Sequence, residues 1–99
     1  MLNIEKKIEG KNLAMTLAGR LDTTTAPELE KEIKESIEGV DSLTFDIASL
    51  EYISSAGLRV LLSAQKIMNK QGSMVVRNAS DVVKEIFEVT GFADILTIE

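Results

Sequence analysis

The sequence predicts an α/β fold, a mixed sheet of four or five strands with three main helices, in the order β-β-α-β-α-β-α with room for a last short strand. Three observations carry this. Apolar residues alternate with others near the start, at Leu2, Ile4, Ile8, Leu13, Met15 and Leu17, the period of a strand with one buried face. Apolar residues then recur at helical spacing in three later segments separated by short apolar runs. Glycines fall at the joints, at Gly10, Gly39, Gly72 and Gly91.

Taken in order, polar Asn3, Glu5, Lys7 and Glu9 separate the apolar residues of the first strand. Gly10-Lys11 has the length of a two-residue hairpin turn with glycine first. Leu13, Met15 and Leu17, with small Ala14, Thr16 and Ala18 between them, form a more buried second strand that ends at Gly19-Arg20-Leu21-Asp22. Thr25 and Glu28 have capping-box spacing, and Pro27 suits a first helical turn. Leu29, Ile33 and Ile37 recur at four-residue steps among Glu and Lys, which makes an amphipathic surface helix stopped by Gly39. Leu43, Phe45 and Ile47 form the next strand, and Ala48 to Ile53 reads as a loop.

Ser54-Ser55-Ala56-Gly57 opens a helix running to about Lys70. Its apolar stripe (Leu58, Val60, Leu61, Leu62, Ala64, Ile67, Met68) is wide, so this helix is expected to be the most buried of the three. Gly72 closes it, and Met74-Val75-Val76 is a short buried strand. Asn78 or Ser80 caps a third helix carrying Val82, Val83, Ile86, Phe87 and Val89, ended by Gly91. Ile95 to Ile98 leaves room for the last strand. Strand–helix–strand units of this length require parallel strands and right-handed crossovers. Their strand-to-helix loops then share one edge of the sheet, where sites in open α/β sheets tend to lie. Residues 20–25, 47–55 and 77–80 are therefore expected to gather.

A chain of 99 residues suits one domain over 1–99. It has no cysteine and no histidine, which removes Ser/His and Cys/His catalysis and the usual nitrogen and sulfur zinc sites. It also lacks a Walker-type loop, a dinucleotide glycine fingerprint and a G-x-S-x-G elbow. No catalytic residue, cofactor or metal site is expected. Sixteen acidic against 11 basic residues give a net charge of −5, and no basic stripe is present to bind nucleic acid or an anionic membrane. Glu5, Lys6, Lys7, Glu9 and Lys11 interrupt any signal-peptide core. No apolar run approaches the ~20 residues of a membrane span. The expectation is a cytoplasmic protein without membrane insertion.

Two features remain as candidate sites. A serine at a helix start accepts a backbone N–H bond, and capping alone accounts for Ser54-Ser55. The same helix end also favours an anion, so a phosphate added there meets donors. Gly57 in the first turn costs up to ~1 kcal/mol against alanine. Its missing side chain suits either tight packing on a strand or the close approach of another backbone. Asp22 suits turn chemistry, bonding to backbone two residues on. It also suits a carboxylate at the same edge as Ser55, able to bind a partner's cation.

Asp46-Ile47, then Tyr52-Ile53-Ser54-Ser55-Ala56-Gly57-Leu58-Arg59-Val60-Leu61, resembles the STAS family of bacterial anti-sigma-factor antagonists and sulfate-transporter tails. Leu17 to Asp22, Gly72 to Val76 and Val83 to Phe92 agree in the right order, so the resemblance spans nearly the whole chain. It implies a right-handed β-α superhelix and a non-enzymatic switch protein. In such antagonists the unphosphorylated form binds an anti-sigma factor that is also a serine kinase, and the sigma factor is released. The kinase phosphorylates one serine at the start of the helix after the third strand, and a PP2C-type phosphatase restores the binding form.

On the motif that serine is Ser55, with Ser54 a competing acceptor. Asp22 matches the aspartate of the flanking loop, and the resemblance implies a partner-binding surface of Asp22, Thr23, Ser54, Ser55 and Gly57. Phosphorylated members typically carry Asp before the acceptor and Ser or Thr after it, where this chain has Ser54 and Ala56. That departure keeps a second reading open, a constitutive STAS interaction subunit of a transport or sensory complex without a phosphorylation cycle.

Overall fold

A computed structural model describes residues 2–99. Strand β1 (Leu2–Glu9) pairs antiparallel with β2 (Asn12–Leu21) through a tight turn. Gly10 takes a left-handed φ of +61° in that turn, the conformation that the first position of a type II′ turn needs. Helix α1 (Ala26–Ser36) leads to β3 (Ser42–Ile53), α2 (Ser55–Gln71) to β4 (Ser73–Arg77), and α3 (Asp81–Thr90) to a short 3-10 turn at Phe92–Asp94. β3 lies parallel to β2 and β4 parallel to β3, giving the order β1-β2-β3-β4 in one mixed sheet.

The expected last strand reduces to a single parallel bridge between Val76 and Ile98. It is held by Val76 N–H donating to the Thr97 carbonyl at 2.8 Å and Glu99 N–H donating to the Val76 carbonyl at 2.9 Å. Ser80, not Asn78, caps α3, its hydroxyl accepting from the Val83 N–H at 3.3 Å. Asn78 instead takes a left-handed φ of +63° in the loop before it.

The helices cover one face of the sheet. Leu13, Met15 and Leu17 of β2 and Leu43, Phe45 and Ile47 of β3 point into that face. They are fully buried with Leu29, Ile33, Leu61, Met68, Val83 and Phe87. On the other face Glu5, Lys7, Ala14 and Thr16 are exposed and Thr44 and Asp46 half-buried.

The segment from Ala48 to Ile53, expected as a loop, is strand. Its register explains why the pattern misled. Thr16 pairs with Asp46 but Ala18 with Ser49, and Gly19 pairs with Leu50 but Arg20 with Tyr52. Each shift inserts one extra residue in β3, as a bulge does. The buried positions therefore run Leu43, Phe45, Ile47, then Leu50 and Ile53, and a period of two becomes three.

β4 spans only five residues and ends with Arg77 opposite Asp46. Leu21 and Ile53 lie opposite each other, seven residues further along β3. The loops after β2 and β3 thus share one end of the sheet, whereas residues 77–80 lie level with Asp46 and do not join them. The short fourth strand sets this difference.

Gly72 ends α2 in an extended conformation, with φ 176°. A Cβ there would overlap the Asp41 carbonyl, which accepts the Ser73 N–H at 3.0 Å. Gln71 Nε2 donates to the carbonyls of Ile37 and Val40 at 2.8 and 2.7 Å, tying the same helix end to the chain leaving α1. Gly72→Ala is expected to lose about 1–3 kcal/mol, the range for overpacking. In urea denaturation the midpoint should fall while the slope stays constant.

Candidate functional site

The site forms where β2 and β3 end together. Leu21 faces Ile53 in the register, and the Ser54 N–H donates to the Leu21 carbonyl at 2.8 Å. The start of α2 is thereby fastened to the end of β2. Ser54 is the N-cap, with φ −94° and ψ 174°. Its hydroxyl accepts from the Gly57 N–H at 3.3 Å, and its carbonyl accepts from the Leu58 N–H at 2.9 Å.

Ser55 is the first helical residue and is exposed. Its hydroxyl makes no hydrogen bond among the described residues. The N–H groups of Ser55 and Ala56 have no carbonyl to reach within the helix, and the first turn of α2 carries no acidic residue. The positive end of the helix dipole is left uncompensated there.

Gly57 explains why this end lies so close to the sheet. A Cβ on it would come within 2.6 Å of Leu21 Cγ and 3.0 Å of Ile53 Cγ1. The resemblance implies Gly57 in the partner-binding surface; in the structure its visible role is packing. Gly57 is buried under the helix and its N–H is taken by Ser54, so it seats the site from below.

Asp22 sits one residue beyond the carbonyl that holds Ser54. Its Oδ1 accepts from the Thr24 N–H at 3.0 Å, the Thr25 N–H at 3.1 Å and the Thr24 hydroxyl at 2.7 Å. The turn role is therefore realised. The Thr24 hydroxyl is the main cause of a carboxyl pKa lowered from its ordinary 3.8. Loss of hydration opposes that shift, and the Thr25 and Thr24 N–H groups reinforce it.

The capping box expected from Thr25 and Glu28 does not form. The Thr25 hydroxyl is buried and turned back to β2, donating to the Arg20 carbonyl at 2.8 Å and accepting from the Asp22 N–H at 2.8 Å. Thr23 is exposed and lines an open groove of about 230 Å³ between the first turns of α1 and α2, with Pro27, Ala56, Arg59 and Ser63.

Asp22, Thr23, Ser54 and Ser55 are thus brought to one end of the sheet. Sequence reasoning missed the Arg20–Tyr52 pair beside them. The second bulge of β3 sets Tyr52 opposite Arg20, whose guanidinium lies 4.7 Å from the ring centroid. Arg20 Nε is also 4.0 Å from Asp22 Oδ2. Both residues lie within the quoted motif segments, but nothing in the spacing shows that they meet.

A mixed β-α domain with a capped, serine-bearing helix start beside an aspartate turn has the architecture of a STAS module. The chain belongs to the STAS domain family, whose model matches residues 3–99. It is 37% identical over 94 residues to BtrV of Bordetella bronchiseptica, a protein provisionally assigned as an anti-sigma factor antagonist, covering 93% of this chain and 80% of BtrV. It is 29% identical over 98 residues to the anti-sigma-B factor antagonist of Bacillus subtilis, covering 98% of this chain and 90% of that protein. These relatives are named as regulators, not as enzymes.

The crystal structure of an anti-sigma factor antagonist from Mycobacterium paratuberculosis superposes with a TM-score of 0.89 at 19% identity, covering 99% of this chain and 85% of that one. The Bacillus protein SpoIIAA shares the fold in its unphosphorylated and phosphorylated forms. The TM-scores are 0.76 and 0.75, each at 17% identity, covering all of this chain and 87% and 91% of those chains. The mixed four-stranded sheet with three helices is the fold of these neighbours. Among the described residues, no helix is long and apolar enough to cross a membrane.

Because the folded-state pKa of Asp22 is depressed, its contribution to stability is complete above the unfolded value near 3.9. It is lost as pH falls through the lower folded value. Asp22→Asn is expected to flatten the acid limb of a stability–pH curve measured by urea denaturation from pH 6 downward. Asp22→Ala removes the acceptor as well and should lower Tm at neutral pH by several degrees, on the scale of a lost helix cap.

Proposed function

We propose that this chain is an anti-sigma-factor antagonist. Its unphosphorylated form binds an anti-sigma factor that is also a serine kinase, and phosphorylation of Ser55 releases the partner. The observation that carries this reading is the division of labour between the two serines. Ser54 is half-buried and occupied as the cap, while Ser55 presents a free hydroxyl to solvent at the helix end. The names of the relatives support the partner class, and a neighbour of the same fold exists in a phosphorylated form. In this reading the protein works in the cytoplasm.

Transfer forms a bond from Ser55 Oγ to the γ-phosphorus of ATP and breaks the bond to the ADP oxygen. The hydroxyl proton passes to a base of the kinase. A phosphoserine carries about −1.5 to −2 charges. At this position the dipole and the free N–H groups of the first turn stabilise it, the dipole by about 0.3–1 kcal/mol. The fold therefore tolerates the modification and the interface does not. A partner surface fitted to a hydroxyl must take up a bulky anion, with a loss of several kcal/mol on the scale of like-charge juxtaposition. A PP2C-type phosphatase resets the switch by hydrolysis.

Asp22, through Oδ2, and Thr23, Ser54 and Ser55 form the partner surface in this reading, and Gly57 supports it from beneath. Phosphorylation of Ser54 instead would place the phosphate on the oxygen that accepts the Gly57 N–H. A second reading rests on one observation, the serine at position 54 where phosphorylated members typically carry Asp. It is a constitutive interaction subunit of a transport or sensory complex.

Ser55→Ala is expected to bind the anti-sigma factor and stay bound in ATP, whereas Ser55→Asp should weaken binding at least tenfold by calorimetry. Ser54→Ala should lose about 1 kcal/mol of stability and still incorporate phosphate. If Ser54→Ala abolishes incorporation and Ser55→Ala does not, the acceptor is Ser54. No incorporation into the parent chain by its cognate kinase leaves the constitutive subunit as the function.

A further inference from the structure

The two edges of the sheet differ. Beside β4, the bridge from Thr97 and Glu99 to Val76 occupies part of the edge. Beside β1 no strand is paired among the described residues. In a two-residue hairpin the flanking pair, here Glu9 and Asn12, is hydrogen-bonded. Odd-numbered residues of β1 therefore bond β2. The N–H and C=O groups of Leu2, Ile4, Lys6 and Ile8 point outward from the sheet, a row of donors and acceptors ready to template another strand. Ile8, on the helix-covered face, is 60% exposed.

A charged residue pointing inward at mid-strand ordinarily guards such an edge, and Lys6 holds that position. Here it is folded back onto α1, its Nζ 3.0 Å from Glu32 Oε2 and 3.1 Å from Ser36 Oγ. Its charge is compensated within the chain and its side chain is drawn off the edge.

We propose that β1 is a self-association edge, and that a second copy of this chain pairs with it antiparallel about a two-fold axis at Lys6. In that register Ile4 faces the partner's Ile8 and Ile8 the partner's Ile4, which covers the exposed Ile8 of each copy. On the uncovered face of the sheet Glu5 faces the partner's Lys7 and Lys7 the partner's Glu5. Lys7 already pairs with Glu9 on its own strand at 3.0 Å and gains a second carboxylate.

Two neighbouring registers also keep both helix layers on one side. An axis at Glu5 opposes Glu5 to Glu5. An axis at Lys7 opposes Lys7 to Lys7 and Glu5 to Glu9. The axis at Lys6 alone pairs unlike charges on the uncovered face; on the covered face it sets Lys6 opposite the partner's Lys6, each held by Glu32 of its own chain. The interface is isologous, as a closed dimer requires, and lies two strands away from the one that leads to Ser55. This inference does not rest on the proposed function.

Sedimentation equilibrium of the full chain at micromolar to submillimolar concentration tests it. The parent is expected to dimerise. Glu5→Lys opposes like charges at two places in the dimer and should weaken it by about tenfold, as should Lys7→Glu. The double variant Glu5→Lys with Lys7→Glu restores unlike pairs in this register and should return the dissociation constant to near the parent value. Both positions are exposed and face Thr16 and Ala14 across β2, so circular dichroism should show unchanged folding. A parent that stays monomeric throughout overturns the proposal. So does a dimer that the single exchanges leave unchanged, or one that the double exchange fails to restore.

Discussion

The structure depends on one junction, the seat of α2 on the paired ends of β2 and β3. A single backbone bond, Ser54 N–H to the Leu21 carbonyl at 2.8 Å, fixes where the helix begins. Gly57 fixes how low it sits, because only hydrogen fits above Leu21 and Ile53. The conformational cost of glycine in a first turn is offset by burial of those two side chains, each almost fully excluded from water. The serine pair inherits its geometry from this seat. A helix held higher would have neither its cap nor its start beside the Asp22 turn.

The long third strand makes the junction possible. β3 runs seven residues past its last pair with β4, at Asp46, and ends opposite the end of β2, with both bulges in that stretch. Bulges increase local twist and re-aim side chains. Here they place Tyr52 under Arg20 and leave the start of α2 at the tip of a two-strand ribbon. That tip presents hydroxyls, one carboxylate and a stacked arginine instead of a sheet face.

The Asp22–Thr25 turn is the second support. Its four residues use nearly every local donor on one carboxyl oxygen, so Oδ1 is committed to the fold. Oδ2 remains toward Arg20 and solvent. The structural role of this aspartate and the recognition role proposed for it thus fall on different oxygens. The buried Thr25 hydroxyl, bonded to both Arg20 and Asp22 backbone groups, closes the same turn from inside.

The sequence by itself determined the element order, the hairpin at Gly10, the buried faces of α1 and α2 and the helix start at Ser54-Ser55. These follow from local rules, periodicity and the few residues that suit caps and tight turns. The family was also legible, because the motif segments lie in order along one chain. Tertiary structure decided the rest. The strand character of Ala48 to Ile53 was hidden because bulges break the two-residue period, and a bulge exists only relative to a partner strand. Thr25 forms no capping box because its hydroxyl oxygen accepts the Asp22 N–H while its proton goes to the Arg20 carbonyl. Gly57 proved to be a packing residue because Leu21 and Ile53, distant in sequence, arrive beneath it. In each case the deciding contact joins residues that the chain order keeps apart, and only folding brings them within reach.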